Sequence, residues 1–171
     1  MAVAMVAMLA FGGTYAYFTA SAGAAIESGS VTTGHVELGL GSNKTITKFA
    51  NDYAVPGDTL WDISIDVDNK SNVKTYIFAD WTLTNTDGLV LETTASTWTA
   101  VPGHANAFYV EAAANTDQTF TTKIVLATSN DNTKMDKTIS CSVSFKSIQF
   151  DHFDDAQAAY EAWKADGSVA A

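Results

Sequence analysis

Apolar and polar residues alternate along most of this chain with a period of two. Trp61, Ile63, Ile65 and Val67 interleave with Asp62, Ser64, Asp66 and Asp68, the pattern that sets one face of a strand in a core and the other in water. Val73, Thr75, Ile77, Ala79, Trp81 and Leu83 continue the pattern, and Tyr76 and Phe78 make the opposite face apolar as well, as in a strand covered on both sides. Val36, Leu38 and Leu40 predict an earlier strand, and residues 89–94, 107–112, 119–127 and 138–150 predict later ones. Connectors rich in Asn, Asp, Thr and Gly, such as Asn85-Thr86-Asp87-Gly88 and Ser129-Asn130-Asp131-Asn132, separate them. In the last run Ile139, Cys141, Val143 and Phe145 share one phase while Ile148 and Phe150 sit in the other, which predicts a bulge or a sheet crossing near Ser147. Successive strands with no helix between them define an all-β fold, an antiparallel, jelly-roll-like β-sandwich.

Both ends of the chain change character. From Asp154 the sequence reads DDAQAAYEAWKADG, which predicts a short C-terminal helix capped by Asp154, with Gln157 reaching back and Gly167 ending it. Phe153, Tyr160 and Trp163 form its small apolar stripe. At the other end Met1 to Phe11 is apolar and uncharged, followed by Gly12-Gly13-Thr14-Tyr15-Ala16-Tyr17-Phe18. The apolar stretch has the length of an export-signal core, roughly 7–15 residues, and falls short of the roughly 20 that cross a bilayer. Small Thr14 and Ala16 place signal cleavage between Ala16 and Tyr17. No Lys or Arg precedes the core, so the reading puts the start of the precursor upstream of Met1. The expected organisation is a cleaved signal peptide over 1–16, an N-terminal arm over 17–30, a sandwich over 31–153, and a helix and tail over 154–171.

Composition narrows the chemistry. The 171 residues carry 19 Asp and Glu against 9 cations and a net charge of −10. Every cation is lysine, so no guanidinium is present for bidentate phosphate or base recognition, and the charge repels nucleic acid. The single cysteine excludes an intrachain disulfide and any multi-cysteine zinc module. With 47% hydrophobic and 16% charged residues the chain is too apolar for a disordered acidic tail, and its length suits one domain with a sizeable core.

The string Gly12-Gly13-Thr14-Tyr15-Ala16-Tyr17-Phe18-Thr19 resembles the signal region of substrates of the SipW-type signal peptidase, the TasA/camelysin (CalY) family of bacterial surface fibre proteins. Gly34-His35-Val36-Glu37-Leu38 is similar to that family's first strand. Pro56-Gly57-Asp58, with Asn69 ten residues further on, is similar to its Pro-Gly-Asp turn, second strand and closing Asn. Residues 147–153 resemble the exit strand of its short members. The resemblance implies a secreted, trimmed jelly-roll subunit that polymerises with copies of itself into biofilm-matrix or cell-surface fibres. Its expected partners are the signal peptidase during export and an accessory or anchor subunit, with no nucleic acid and no stable membrane span after cleavage.

The residues supply a physical route to such assembly. A sandwich with an open strand slot exposes unpaired backbone groups, and an extended segment from a neighbour satisfies them by donor-strand complementation. The arm reads YFTASAGAAI from Tyr17 to Ile26, uncharged and made largely of small side chains. Tyr17, Phe18, Thr19, Ala20 and Ile26 are the expected donor residues; the alternative is a first strand that packs on its own subunit.

No catalytic, cofactor or metal constellation emerges. The camelysin resemblance also implies metalloprotease activity, yet no His-Glu-x-x-His occurs, and His35, His104 and His152 are far apart in sequence. His152 sits among Asp151, Asp154 and Asp155, a cluster able to hold a cation but equally suited to capping a helix. Residues 66–71 begin like a calcium loop, but Ser71 stands where that loop needs Gly and Ile77 where it needs Glu. The phase of Cys141 predicts a buried, inert thiol. A secreted metalloprotease and a monomeric adhesin, the latter with Trp98 or Tyr109 as sugar platforms, are the alternative functional classes.

Overall fold

The alternation of the central strand is realised residue by residue: Trp61, Ile63, Ile65 and Val67 are buried, and the aspartates between them face outward. The computed structural model describes residues 19–21, 35–50, 54–95, 97–131 and 138–165. Its strands are β1 (Thr19–Ser21), β2 (Leu38–Lys48), β3 (Thr59–Asn69), β4 (Thr75–Thr84), β5 (Leu91–Ala95), β6 (Thr99–Ala100), β7 (Ala107–Ala112), β8 (Gln118–Leu126) and β9 (Ser140–Gln149), followed by one helix, α1 (Ala156–Ala165). They form a five-stranded sheet in the order β1-β9-β4-β7-β6 and a four-stranded sheet in the order β2-β3-β8-β5. All pairings are antiparallel. The result is the expected β-sandwich with a short C-terminal helix, in which the chain crosses repeatedly from one sheet to the other.

Two apolar cores hold the layers together. Between the sheets, Ile63, Ile65, Val67, Ile77, Ala79, Trp81, Phe108, Phe120, Ile124 and Phe145 form the main core. A second core lies on the outer face of the five-stranded sheet, where Tyr76, Phe78 and Ile148 pack against Ala156, Ala159, Tyr160 and Trp163 of α1. The doubly apolar pattern of β4 follows from this: odd positions face the opposite sheet and even positions face the helix.

The same layering corrects the expected irregularity near Ser147. β9 pairs with β4 in unbroken register from Thr75↔Gln149 to Thr84↔Ser140, with neither bulge nor crossing. Phe145 faces the opposite sheet and Ile148 faces the helix. The change of phase therefore records which face is covered at each height, and Phe145 to Ile148 are buried in succession. The real shifts of register lie between Leu40 and Lys44 of β2 and between Thr59 and Trp61 of β3. Gly41 belongs to the first, and a Cβ there would stand 2.6 Å from Asp66 Cβ and 2.8 Å from Asp68 Oδ1, closer than any side chain tolerates.

Other boundaries move for identifiable reasons. The earliest predicted strand, read from Val36, Leu38 and Leu40, runs from Leu38 on to Lys48; its second half is exposed and held by backbone pairing, so it lacks an apolar signature. The helix begins at Ala156, and Asp155, not Asp154, caps it, accepting the Ala158 N–H at 2.8 Å. Gln157 donates forward to Glu161 Oε1 instead of reaching back. Asn85 and Gly88 adopt positive φ in the β4–β5 turn, as the Asn-Thr-Asp-Gly sequence foretells.

Candidate functional site

The end of the sandwich from which β3 passes to β4 is knit by a buried polar network. Asn69 Nδ2 donates to the Ala113 carbonyl at 3.0 Å, and its Oδ1 accepts the Ser71 N–H at 3.2 Å. Ser71 Oγ donates to the Glu37 carbonyl and accepts the Glu37 N–H. His35 joins through Asn72 Oδ1, which accepts its backbone N–H at 2.7 Å, and its ring lies 3.0 Å from Glu37. Asn69 thus anchors residues 35–37 to the β3–β4 and β7–β8 connections. At the opposite end Gly57 takes φ +99° and donates to the Leu126 carbonyl, while Asp58 Oδ2 accepts the Val55 N–H at 2.8 Å. The Pro-Gly-Asp turn therefore pins the start of β3 to the end of β8.

Between these ends runs an incompletely paired sheet edge. β1 is three residues long and pairs with β9 of its own chain through Thr19↔Ile148, Ala20↔Ser147 and Ser21↔Lys146. Among the described residues, no strand continues that pairing along residues 140–145 of β9. β1 also approaches β2 across the seam between the sheets. Leu40, Lys44, Ile46 and Lys48 of β2 stand opposite Val67, Ile65, Ile63 and Trp61, so they share the core-side face of their sheet. Yet Leu40 is 52% and Ile46 45% exposed, whereas Leu38 at the β1 end is 2% exposed. On the β9 side of the seam Ile139, Cys141 and Val143 are only partly buried against the main core. Among the described residues, no strand pairs with β9 beyond β1 on this side, and Leu40 and Ile46 of β2 are exposed there.

The other predicted residues disperse. Thr19 and Ala20 lie in β1; Ala16, Tyr17, Phe18 and Ile26, with the signal, its cleavage point, Gly167 and Asn132, fall outside the described residues. Trp98 is no sugar platform: it is buried in the main core, and its indole N–H donates to the Thr119 carbonyl at 3.1 Å. Tyr109 packs edge-on against Tyr76 in the second core. Residues 66–69 are β3 and Ile77 is in β4, which removes the calcium-loop geometry. Among the described residues no three His, Cys, Asp or Glu side chains gather as a metal site. Cys141 is only half-buried, where its phase predicts full burial, yet desolvation still raises its thiol above its ordinary pKa, which disfavours the reactive thiolate.

Sequence reasoning did not single out a second feature, a polar cleft of about 470 Å³ beside α1, lined by Asp80, His104, Asn106, Tyr160 and Lys164. Tyr160 donates to Asp80 Oδ1 at 2.9 Å, Lys164 donates to Asp80 Oδ2, and the His104 ring lies tilted against Tyr160 with centroids 4.6 Å apart. Burial first, then the hydrogen bond to Asp80 and its charge, push the Tyr160 phenol well above its ordinary value. It stays protonated at neutral pH and serves to dock the helix. The only sequence trace of this cluster is Asp80 standing in the helix-facing phase of β4.

Comparison of the chain with protein-family models, with curated proteins and with solved structures finds no match.

Proposed function

We propose that this protein is an exported structural subunit that polymerises with copies of itself into extracellular fibres, each subunit lending its N-terminal arm to the next. The observation that supports the reading is the seam: among the described residues, a three-residue β1 is all that pairs with that edge of the longer β9, beside a core-side face of β2 on which Leu40 and Ile46 are exposed. The signal-like N-terminus and the family resemblance supply the export and the extracellular setting. Thirteen residues, 22–34, separate Ser21 from His35 and reach up to roughly 45 Å when extended, long enough to bridge to an adjacent subunit. Burying an aromatic or Ile26 contributes roughly 1.5–3 kcal/mol for each complete burial, against about 1–2 kcal/mol per ordered backbone residue. Ladder hydrogen bonds supply the rest. Negative-stain microscopy of the processed protein tests this: the intact form gives long unbranched filaments, and removal of residues 17–26 leaves folded monomers. Filaments undiminished by that deletion would replace the arm by a surface-to-surface contact.

A further inference from the structure

Helix α1 covers only part of the outer face of the five-stranded sheet. It packs on Tyr76, Phe78 and Ile148 and reaches as far as Asp80, which Tyr160 and Lys164 clasp. The same phase of β4 continues past the helix with Thr82 and Thr84, and β9 sets Ser144, Ser142 and Ser140 directly opposite Asp80, Thr82 and Thr84. Residues opposite each other share a face, so rows of exposed hydroxyls step outward from the cleft. Ser144 Oγ donates to the Asp80 carbonyl and Thr84 bonds Ser140, while Thr82 and Ser142 form the middle row. On the other side β7 ends its pairing with β4 at Asp80↔Ala107, and the β6–β7 connection makes the second wall. There the Trp81 N–H donates to the Asn106 carbonyl at 3.1 Å and the His104 N–H to the Val101 carbonyl at 3.0 Å. Gly103 takes φ +77°, and a Cβ on it would meet nothing within 4 Å, so the space beside this wall is open.

Charges in the cleft cancel. The Asp80 side chain is 14% exposed with both oxygens engaged, and Lys164, 46% exposed, spends one of its three donors on it. A cation would have to displace that ammonium. An anion would face Asp80, Glu161 beside His104 and a chain carrying −10. An apolar ligand would strip water from Thr82, Asn106 and His104 without replacing its hydrogen bonds. The remaining donors of Lys164, the Asn106 amide, the His104 ring and the Thr82 hydroxyl all line the cleft, and they match an uncharged molecule whose groups both donate and accept. Its volume of about 470 Å³ is that of a small-molecule site.

We propose that this cleft binds an uncharged saccharide, one sugar unit held between Lys164, His104 and Asn106 and a second laid along the Thr82–Ser142 row. Saturation-transfer NMR tests it by reading the ligand's protons, so monomers and filaments give equally usable signals and assembly does not enter the result. The probes are maltotriose and cellotriose, with trigalacturonic acid as their charged counterpart. At least one neutral trisaccharide is expected to bind saturably at millimolar concentration, and the charged one much more weakly. Asn106→Ala and Thr82→Val, both at exposed positions, are each expected to weaken binding roughly three- to tenfold, the equivalent of one hydrogen bond, with circular dichroism unchanged. Ser64→Ala, on β3 of the other sheet, is expected to bind as the parent does. Binding undiminished by both cleft substitutions would place the sugar elsewhere and overturn the site. Trigalacturonic acid binding as tightly as the neutral probes would overturn the uncharged class. No saturable signal from either neutral trisaccharide would overturn the proposal as a whole.

Discussion

Asn69 and Tyr160 show how single side chains join distant parts of the chain. Asn69 is buried, and its amide meets both the Ala113 carbonyl and the Ser71 N–H. Asn69→Ala strands those two groups, so a loss of about 2–6 kcal/mol is expected at roughly 1–3 kcal/mol for each unsatisfied group. Urea unfolding checks it, and a loss below the range would mean that water replaces the amide. Tyr160 makes a pH-dependent contribution. Its folded pKa is raised above the usual 10.0, so the folded state holds the proton more tightly, and this stability is fully present below about pH 10 and lost as pH climbs beyond it. Tyr160→Phe removes one hydrogen bond, about 0.5–1.5 kcal/mol at neutral pH, and also removes part of the alkaline loss. Urea midpoints measured from pH 9 to 11 are expected to fall more steeply for the parent than for the variant. Parallel curves would show that Tyr160 ionises as an ordinary phenol. The partners of both residues were invisible in sequence: Ala113 lies 44 positions from Asn69 and Asp80 lies 80 from Tyr160.

At the scale of elements, α1 is a third layer and not an appendage. Trp163 stacks on Phe78 with ring centroids 6.0 Å apart and meets Tyr160 edge-on at 5.2 Å. Trp163→Ala is expected to cost about 3–5 kcal/mol, the usual range for emptying an aromatic site in a core. It should also raise binding of a hydrophobic dye as Tyr76, Phe78 and Ile148 become accessible. A loss under about 1 kcal/mol with no added dye binding would show that the helix is dispensable to the sandwich. The stripe of Phe153, Tyr160 and Trp163 and the two-faced pattern of β4 were both legible in sequence. That they face each other was not, since periodicity reports that a face is covered and is silent about what covers it. β2 is the converse case: its polar, Gly-containing second half carries no local signature, and its pairing to β3 alone makes it a strand.

At the scale of the whole molecule, charge and edge act in opposition. The proposed assembly brings together subunits that each carry −10, which slows their encounter at low ionic strength. Raising salt until the Debye length falls to about 8–10 Å, or lowering the pH, is expected to accelerate filament growth, followed by light scattering. Growth unaffected by salt would mean that the arm's local, uncharged contact alone governs the rate.

Sequence by itself determined most of the strand segments, though not the second half of β2 or the short β6, and that β4 is covered on both faces, that Pro-Gly-Asp is a turn, and that the C-terminal segment is a helix. These properties reside in neighbours along the chain, where side-chain period, turn chemistry and capping act over a few residues. Tertiary structure alone decided that β9 needs no bulge, that Trp98 is core, and that Asp155 and not Asp154 caps the helix. Each of these depends on which surface arrives from a distant part of the chain. A buried face looks the same in sequence whether a sheet or a helix covers it, and an edge looks the same whether it is paired or free.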